Sequence, residues 1–166
     1  NKGGVDPSSG GNIRKTSDEF FEKNKDKFDI VFIDGLHTYD QVKKDILNSI
    51  NCLKENGIIL VHDCMPDSLS KQAVPRYRMI WNGDVWKAIV DLRQREDLEI
   101  FTCEMDQGIG IIKNDLVKEN KKYFKIYSDN NYNRFIYKSN FRISKNNFSD
   151  YEKEVISFLE EYLFTE

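Results

Sequence analysis

Cysteine is scarce in this sequence and poorly placed for cross-links. The 166 residues include three cysteines, Cys52, Cys64 and Cys103, an odd number with no Cys-x-x-Cys spacing. Disulfide scaffolds and zinc modules need paired or closely spaced cysteines. We therefore expect neither a disulfide framework nor a zinc site. Reduced cysteines are typical of a cytoplasmic protein, which is the location we expect.

An excess of positive charge and long apolar runs are also missing. The formal net charge is -3 at pH 7, with 39% hydrophobic and 32% charged residues, so the composition gives no basic signal for nucleic acid. No apolar run approaches the roughly 20 residues that a membrane helix needs. We expect one globular domain with an appendage, and a small molecule rather than nucleic acid or a membrane as its partner.

A glycine-rich phosphate loop and a signal segment are absent as well. Residues 8–12 are rich in glycine and serine but lack Gly-x-Gly-x-x-Gly spacing, so they are interpreted as an ordinary loop. No basic and then apolar segment opens the chain. The opening residues NKGGVDP are typical of the middle of a domain.

The sequence does contain one complete strand, helix, strand unit, at residues 28–63. Ile30–Ile33 and Ile58–Val61 are unbroken apolar runs, as in parallel strands that are buried on both faces. Apolar residues recur at helical spacing between them and predict a crossover helix. The residues on its apolar side are Tyr39, Val42, Ile46, Ile50 and Leu53.

The ends of this crossover helix carry recognisable signals. Thr38 and Gln41 have the spacing of a capping box at its start. Asn56 and Gly57 are expected to stop it, because these residue types favour the left-handed conformation that ends helices. The prediction is a helix that runs nearly the whole way between the two strands.

Each strand of the unit closes with an acidic residue, Asp34 or Asp63. Neighbouring parallel strands lie about 4.8 Å apart, so the two carboxylates should project side by side. They would stand at the carboxyl edge of the sheet, where open α/β sheets bind ligands. We expect them to share one pocket.

The residues on either side of this unit extend the α/β pattern. Lys2–Pro7 is typical of a strand tail, where Asp6 either holds ribose hydroxyls or simply stabilises a turn before Pro7. Thr16 or Ser17 is expected to cap a short helix. The long loop at 64–81 is expected to determine substrate choice.

The remainder of the chain predicts a helix, a hairpin and an extension. A helix should start near residue 82 and carry Trp86 as a core residue. Strand-like runs at 98–103 and 108–113 are close enough to form an antiparallel hairpin. We divide the chain into an α/β domain at 1–113 and a partly helical C-terminal extension at 114–166.

Taken in order, these segments resemble the class I S-adenosylmethionine-dependent methyltransferases, especially the bacterial methyltransferase family 24. The similar pieces are GVDP, TSDEFF, FDIVFIDGLHTYDQVKKD, NGIILVHDCMP, WNGDVWK and DQGIGIIK. The resemblance implies an α/β fold with a Rossmann-like sheet, mostly parallel and ending in an antiparallel hairpin.

The same resemblance implies that the chain is N-terminally truncated. The family's first strand and its glycine-rich turn should precede GVDP, and the sequence starts at that point. We therefore expect weak or no binding of S-adenosylmethionine by these residues. We also expect an unpaired sheet edge at 28–34, which would favour homo-oligomers or be covered by residues 1–16.

The resemblance also implies which residues hold S-adenosylmethionine. Asp6 would hold the ribose, Ser17 and Asp18 would border the adenine, and Asp34 would lie near the methionine end or the acceptor.

A catechol-type subset of the family is similar at one more point, because acidic residues at its strand ends bind magnesium. Asp34 and Asp63 match two of those ligands. The third ligand, an amide or acid, has no counterpart, since Cys64 and His62 are the neighbours and would suit a softer metal. The alternative is that both aspartates cap loops and hold no metal.

Two histidines lie beside these aspartates in the sequence. An imidazole titrates near neutrality and suits a general base, so His37 and His62 are candidate catalytic residues together with Asp34. An oxygen acceptor on a small hydroxylated molecule follows from that chemistry.

Two other functions compete with methyl transfer. A noncatalytic interaction domain could retain this fold without the cofactor. A phospho-acceptor signalling domain is the second rival, because VHDCMPD resembles the strand-end aspartate and Met-Pro of response regulator receivers.

Overall fold

The computed structural model of the chain describes residues 2–76 and 78–114. Its helices are α1 Ser17–Lys23, α2 Tyr39–Ile50, α3 Leu69–Gln72 and α4 Trp86–Leu92. Its strands are β1 Phe28–Ile33, β2 Leu53–Val61, β3 Leu98–Cys103 and β4 Ile109–Asn114. The C-terminal extension lies outside the described residues apart from Asn114, so the domain boundary there stays a prediction. Within the described residues, no helix is long and apolar enough to cross a bilayer.

The four strands form one mixed sheet in the order β1-β2-β4-β3. β1 and β2 are parallel, as expected for strands joined by the crossover helix α2. β4 pairs antiparallel with both β2 and β3, which makes β3 and β4 the predicted hairpin. The expected Rossmann-like α/β fold is thus confirmed for this part of the chain.

The core is divided by the sheet because strand side chains alternate between its two faces. On one face, Ile59 and Val61 of β2 pack with residues of α2 and α4 such as Ile46 and Ile89. On the other, Ile58 and Leu60 pack with β3 and β4. All four β2 residues have 0% exposure, which explains why this strand is an unbroken apolar run.

β1 departs from the expectation of burial on both faces. Val31 and Ile33 pack into the core beside α2. Ile30 and Phe32, on the opposite face, are 39% and 46% exposed. β1 lies at one edge of the sheet, where fewer neighbours cover a side chain than in the centre.

The predicted end of the crossover helix is wrong. α2 ends at Ile50 and β2 begins at Leu53, so Asn56 and Gly57 lie within the strand. The pairing shifts between Phe28↔Leu53 and Ile30↔Ile58, which marks a bulge. Asn56 has φ of 62°, so the left-handed preference of this dipeptide is used to form the bulge rather than to stop a helix.

The predicted start of this helix is at the right residue, but the capping box is wrong. Thr38 is the N-cap and its side chain makes no capping hydrogen bond. The Tyr39 N–H donates instead to Asp84 Oδ1 at 2.7 Å. Gln41 turns towards α1, where its amide donates to Ser17 Oγ at 3.2 Å. A carboxylate from a distant segment therefore replaces the local cap.

Near the N-terminus the structure shows which residue caps α1, and it does not contain the strand expected at residues 2–7. Thr16, rather than Ser17, caps α1, in a capping box with Glu19. The segment at 2–7 is not a strand tail, because Val5 and Ile13 form only an isolated bridge with each other. β1 receives no strand partner from residues 2–16, whose described pairing is internal.

Candidate functional site

The carboxyl ends of β1 and β2 bring the predicted acidic residues together. Asp34 follows β1, and Asp63 lies just beyond β2. Asp34, His37 and Asp63 each offer a ligand atom, and these atoms all lie within 4.8 Å of one another. The two aspartates therefore lie in one cluster, with the His37 imidazole in contact with both.

Asp63 is the buried anchor of this cluster. It is 4% exposed and has φ of 62°, which turns the chain sharply after β2. Asn82, itself fully buried, donates from Nδ2 to Asp63 Oδ1 at 2.7 Å. The backbone N–H of Asn82 donates to the Lys71 carbonyl at 2.9 Å. The buried carboxylate is thus compensated by an amide from the segment before α4.

His37 is held from two directions. Its Nδ1 lies 2.9 Å from the Trp81 carbonyl oxygen and 3.1 Å from Asp63 Oδ2. Because both oxygens only accept, Nδ1 carries the hydrogen. Nε2 then faces Asp34 Oδ1 at 3.5 Å. The contact with Asp34, and to a smaller extent the charge of Asp63, outweighs burial and raises the pKa of His37.

Two packing contacts fix the His37 ring and its backbone. The Trp81 ring stacks on the imidazole with centroids 5.4 Å apart and planes at 14°. Gly83 has φ of 65°, and an added Cβ would lie 1.7 Å from the His37 carbonyl oxygen. Only glycine allows this close approach, so the segment at 81–83 is shaped to the histidine.

His62 lies between three carboxylates. Its Nε2 is 2.7 Å from Asp106 Oδ2, and its Nδ1 is 3.1 Å from Asp63 Oδ2 and 3.6 Å from Asp34 Oδ1. The Nδ1 contacts have ion-pair distances without the alignment of a hydrogen bond. Burial disfavours the charged ring, but the contacts with Asp63 and Asp106 outweigh it and raise the pKa of His62 to about 9.

Cys64 and Asp34 complete the surroundings of Asp63. The Cys64 thiol is buried and donates to the Val61 carbonyl at 3.1 Å, and burial raises its pKa to about 12. It stays a neutral thiol at neutral pH, and the ligand atoms that converge in the cluster belong to Asp34, His37 and Asp63 instead. The contact with His37 Nε2, 3.5 Å away, holds the pKa of Asp34 below its usual range.

Asp6 lies in a tight turn of its own. Its Oδ1 accepts from the backbone N–H groups of Ser8 and Ser9, at 2.8 and 2.5 Å. The Ser9 bond first, and then the Ser8 bond, lower the pKa of Asp6. Asp6 therefore stabilises a turn, which is one of the two functions that the sequence allowed for it. The Asp6 side chain is 40% exposed, and its Oδ2 makes none of these contacts.

Ser17 and Asp18 are joined to α2 rather than to the strand-end cluster. The Gln41 amide donates to Ser17 Oγ and to Asp18 Oδ1, each at 3.2 Å. Lys44 Nζ lies 2.6 Å from Asp18 Oδ2. These contacts fix α1 on α2, and the Asp18 side chain is still 46% exposed.

Reasoning from the sequence missed three residues that shape the site. The sequence predicted only a helix start near residue 82 and a hairpin between 98 and 113, and it gave Trp81, Asn82 and Asp106 no function at the site. Each comes from a segment far along the chain from Asp63 and His37. Their only signal in the sequence is a position beside a predicted helix or turn. Surface residues share that position, so it does not identify a site residue.

Part of this sequence matches the model of a known protein family. A family model described as a methyltransferase domain, that of methyltransferase family 24, matches residues 10–64. The resemblance to that family is confirmed over these residues. They include Ser17, Asp18, Asp34, His37 and Asp63, whereas Asp6 and the hairpin lie outside the match. The matched segment supports methyl transfer in general.

Two of the solved structures that match this chain are as follows. One is the SAH-bound methyltransferase PaMTH1 of Podospora anserina, with 18% identity, a TM-score of 0.49 and 60% of this chain covered. The other is a protein of Corynebacterium glutamicum, with 13% identity, a TM-score of 0.49 and 64% of this chain covered. The chain covers 47% of the first and 48% of the second, so it spans about half their length. No curated protein matches the sequence.

Proposed function

We propose that the chain takes part in S-adenosylmethionine-dependent methyl transfer to a hydroxyl group of a small molecule. The observation that carries this proposal is His37 Nε2, a ring nitrogen placed to accept a proton and held beside Asp34 at the carboxyl edge of the sheet. The match of residues 10–64 to a methyltransferase domain supports the reaction class.

The residues present suit the cofactor that this reaction needs. When bound, S-adenosylmethionine would supply a methyl group whose bond to the sulfonium sulfur breaks in an in-line displacement, leaving a neutral thioether. Asp6 would hold the ribose through Oδ2, because its Oδ1 is occupied by Ser8 and Ser9. Ser17 and Asp18 would border the adenine, and the exposed part of Asp18 is open to such a contact.

The task left to the protein at the acceptor is orientation and removal of a proton. Placing the hydroxyl oxygen in line with the methyl group supplies much of the rate. His37 Nε2 accepts the hydroxyl proton as the oxygen–carbon bond forms. Nδ1 keeps its own hydrogen on the Trp81 carbonyl, so the ring is held in the tautomer that a base requires. Asp34 and Asp63 then stabilise the imidazolium that results.

An alternative is that the same cluster binds a divalent metal ion. Asp34, His37 and Asp63 present two carboxylates and an imidazole with ligand atoms within 4.8 Å. Magnesium prefers oxygen ligands only, whereas an imidazole suits ions such as zinc or iron. Cys64, which follows Asp63, offers no oxygen and remains a thiol. The donor set therefore fits a softer divalent ion better than the magnesium expected from the resemblance.

Transfer of a labelled methyl group tests this proposal. Because these residues are expected to bind the cofactor weakly, the protein is incubated with a high concentration of labelled S-adenosylmethionine and a panel of aromatic alcohols, aliphatic alcohols and amines, with and without a chelator. We expect label in hydroxyl compounds only, and retention of activity in chelator. Label in amines alone would refute the acceptor class, loss in chelator would favour the metal, and no transfer with any acceptor would favour a noncatalytic interaction domain.

A further inference from the structure

The turn between β3 and β4 lies against the site, although the sequence assigned it no function beyond joining two strands. It follows Cys103 and ends at Gly108. The Met65 N–H donates to the Gln107 carbonyl, and the Cys64 N–H to the Gly108 carbonyl, both at 2.9 Å. Gly108 has φ of 88°, and an added Cβ would lie 2.5 Å from Met65. The turn is therefore packed tightly against the backbone that follows Asp63.

Two consecutive side chains of this turn support the site. Asp106 Oδ2 lies 2.7 Å from His62 Nε2. Gln107 Oε1 accepts from Asn82 Nδ2 at 3.3 Å, and the same Asn82 amide donates to Asp63. The two residues at the end of β2, His62 and Asp63, are thus each supported by one residue of the turn.

The His62 ring is held by a hydrogen bond at Nε2 and by a packing contact on one side, and its Nδ1 is buried. A carboxylate oxygen only accepts, so Nε2 carries a hydrogen directed at Asp106. Nδ1 faces Asp63 Oδ2 at 3.1 Å. Phe32 packs on the ring edge-to-face, with centroids 6.3 Å apart at 68°. Turning the ring over would break the bond to Asp106.

We propose that Asp106 is a positioning residue, which pins the His62 ring with Nε2 on its own carboxylate and Nδ1 buried beside Asp63, so that neither nitrogen faces a methyl acceptor and His37 is left as the base. The assignment of His37 as the base rests on the proposed methyl transfer. The inference revises the expectation that His62 is a base, because its Nε2 is occupied by Asp106 and its Nδ1 is buried beside Asp63. It also explains why two histidines so close together can have different functions.

Nuclear magnetic resonance of the imidazole groups tests the proposal without turnover. The chain has two histidines, so a histidine-selective nitrogen spectrum contains two sets of signals, and His37→Gln assigns them. In the wild type we expect a protected Nε2–H signal for His62 and a nuclear Overhauser contact between its ring and Phe32. Asp106→Ala should lose the Nε2–H signal and leave the His37 signals unchanged.

Two further variants separate positioning from folding. Asp106 has φ of 50°, a conformation that asparagine tolerates, and the amide oxygen of Asp106→Asn can still accept from the ring. We expect this variant to keep the protected signal at a shifted position. Glu104→Gln removes a carboxylate at the start of the same turn, and because Glu104 makes no hydrogen bond or ion pair with His62, the spectrum of this variant should match the wild type.

The outcomes distinguish this inference from the proposed function. A protected His62 signal that persists in Asp106→Ala, or an unshifted one in Asp106→Asn, would overturn the positioning function. If Asp106→Ala fails to fold, the Asp106→Asn spectrum decides alone. If the His62 signal depends on Asp106 but the wild type transfers no methyl group, the proposed function fails while the positioning of His62 stands.

Discussion

At the scale of single residues, the buried Asp63 carboxylate sets the requirements for its neighbours. A carboxylate at 4% exposure has lost most of its contact with water, and each missing hydrogen bond to it would be costly. Asn82 supplies one such bond at 2.7 Å and is itself fully buried. Stability and site geometry therefore depend on the same amide.

Replacing that amide should destabilise the protein. We expect Asn82→Ala to lower the free energy of unfolding by about 1–3 kcal/mol, since it leaves a buried charged acceptor without this donor. Urea unfolding measures the change. The matched control is Asn51→Ala at an exposed position, which should stay within about 0.5 kcal/mol. Equal effects of the two variants would contradict the assigned function of Asn82.

His62 should make stability depend on pH. Its pKa is raised from 6.5 to about 9 by carboxylates on three elements: Asp34 after β1, Asp63 after β2 and Asp106 before β4. The charged ring therefore stabilises the fold fully below about pH 6.5, and this contribution is lost as pH rises through about 9.

Comparing the wild type with His62→Gln isolates this contribution. We expect the difference in unfolding free energy to shrink by roughly 1–3 kcal/mol between pH 6 and pH 10. Denaturant unfolding at a series of pH values measures it. A difference that is constant with pH would show that folding does not change the pKa of His62.

At the scale of secondary structure elements, α2 is capped by a residue that lies far from it in sequence. Asp84 accepts from the Tyr39 N–H at 2.7 Å, while Thr38 makes no capping bond with its side chain. Since α2 carries the loop with His37 at its N-terminus, this cap also joins the site to the segment before α4.

Two alanine variants compare the local and the distant cap. Asp84→Ala should lower the free energy of unfolding by about 0.5–2 kcal/mol, as expected for a lost N-cap. Thr38→Ala should have little effect. Thermal unfolding followed by circular dichroism ranks them, and a larger loss in Thr38→Ala would restore the capping box predicted from the sequence.

Strands were predictable from this sequence because their signal is local. The apolar run of β2 identifies a strand whose two faces are buried, and the short join at residues 104–108 identifies the hairpin. Asn56–Gly57 was ambiguous, because the same left-handed preference serves a helix stop and a strand bulge. Asp34 and Asp63 could be placed together by strand order alone, whereas Asn82 and Asp106 depend on long-range packing that no local pattern encodes.

At the scale of the whole molecule, the outer edge of β1 is the least protected part of the described sheet. β1 pairs only with β2 among the described residues. Phe32 is 46% exposed on this strand. Exposed apolar edge strands favour pairing with another chain, so self-association through β1 remains our expectation.

Sedimentation velocity over a range of concentrations tests this association. We expect oligomers that grow with concentration in the wild type, and a shift towards monomer in Phe32→Lys, because lysine on an edge strand opposes pairing. Leu69→Lys, at a residue of α3 that is 74% exposed, is the matched control and should associate like the wild type. Reversed effects of the two variants would place the interface on α3 instead.

The central claim is that the cluster at the carboxyl edge transfers a methyl group to oxygen with His37 as the base. Its most direct test is the single-turnover rate of labelled methyl transfer in the wild type, His37→Gln and His62→Gln, with cofactor affinity measured separately. We predict that His37→Gln is slower by about 100-fold or more at unchanged cofactor affinity, as for loss of a general base, and that His62→Gln is slowed less. Transfer by His37→Gln at the wild-type rate would contradict the account.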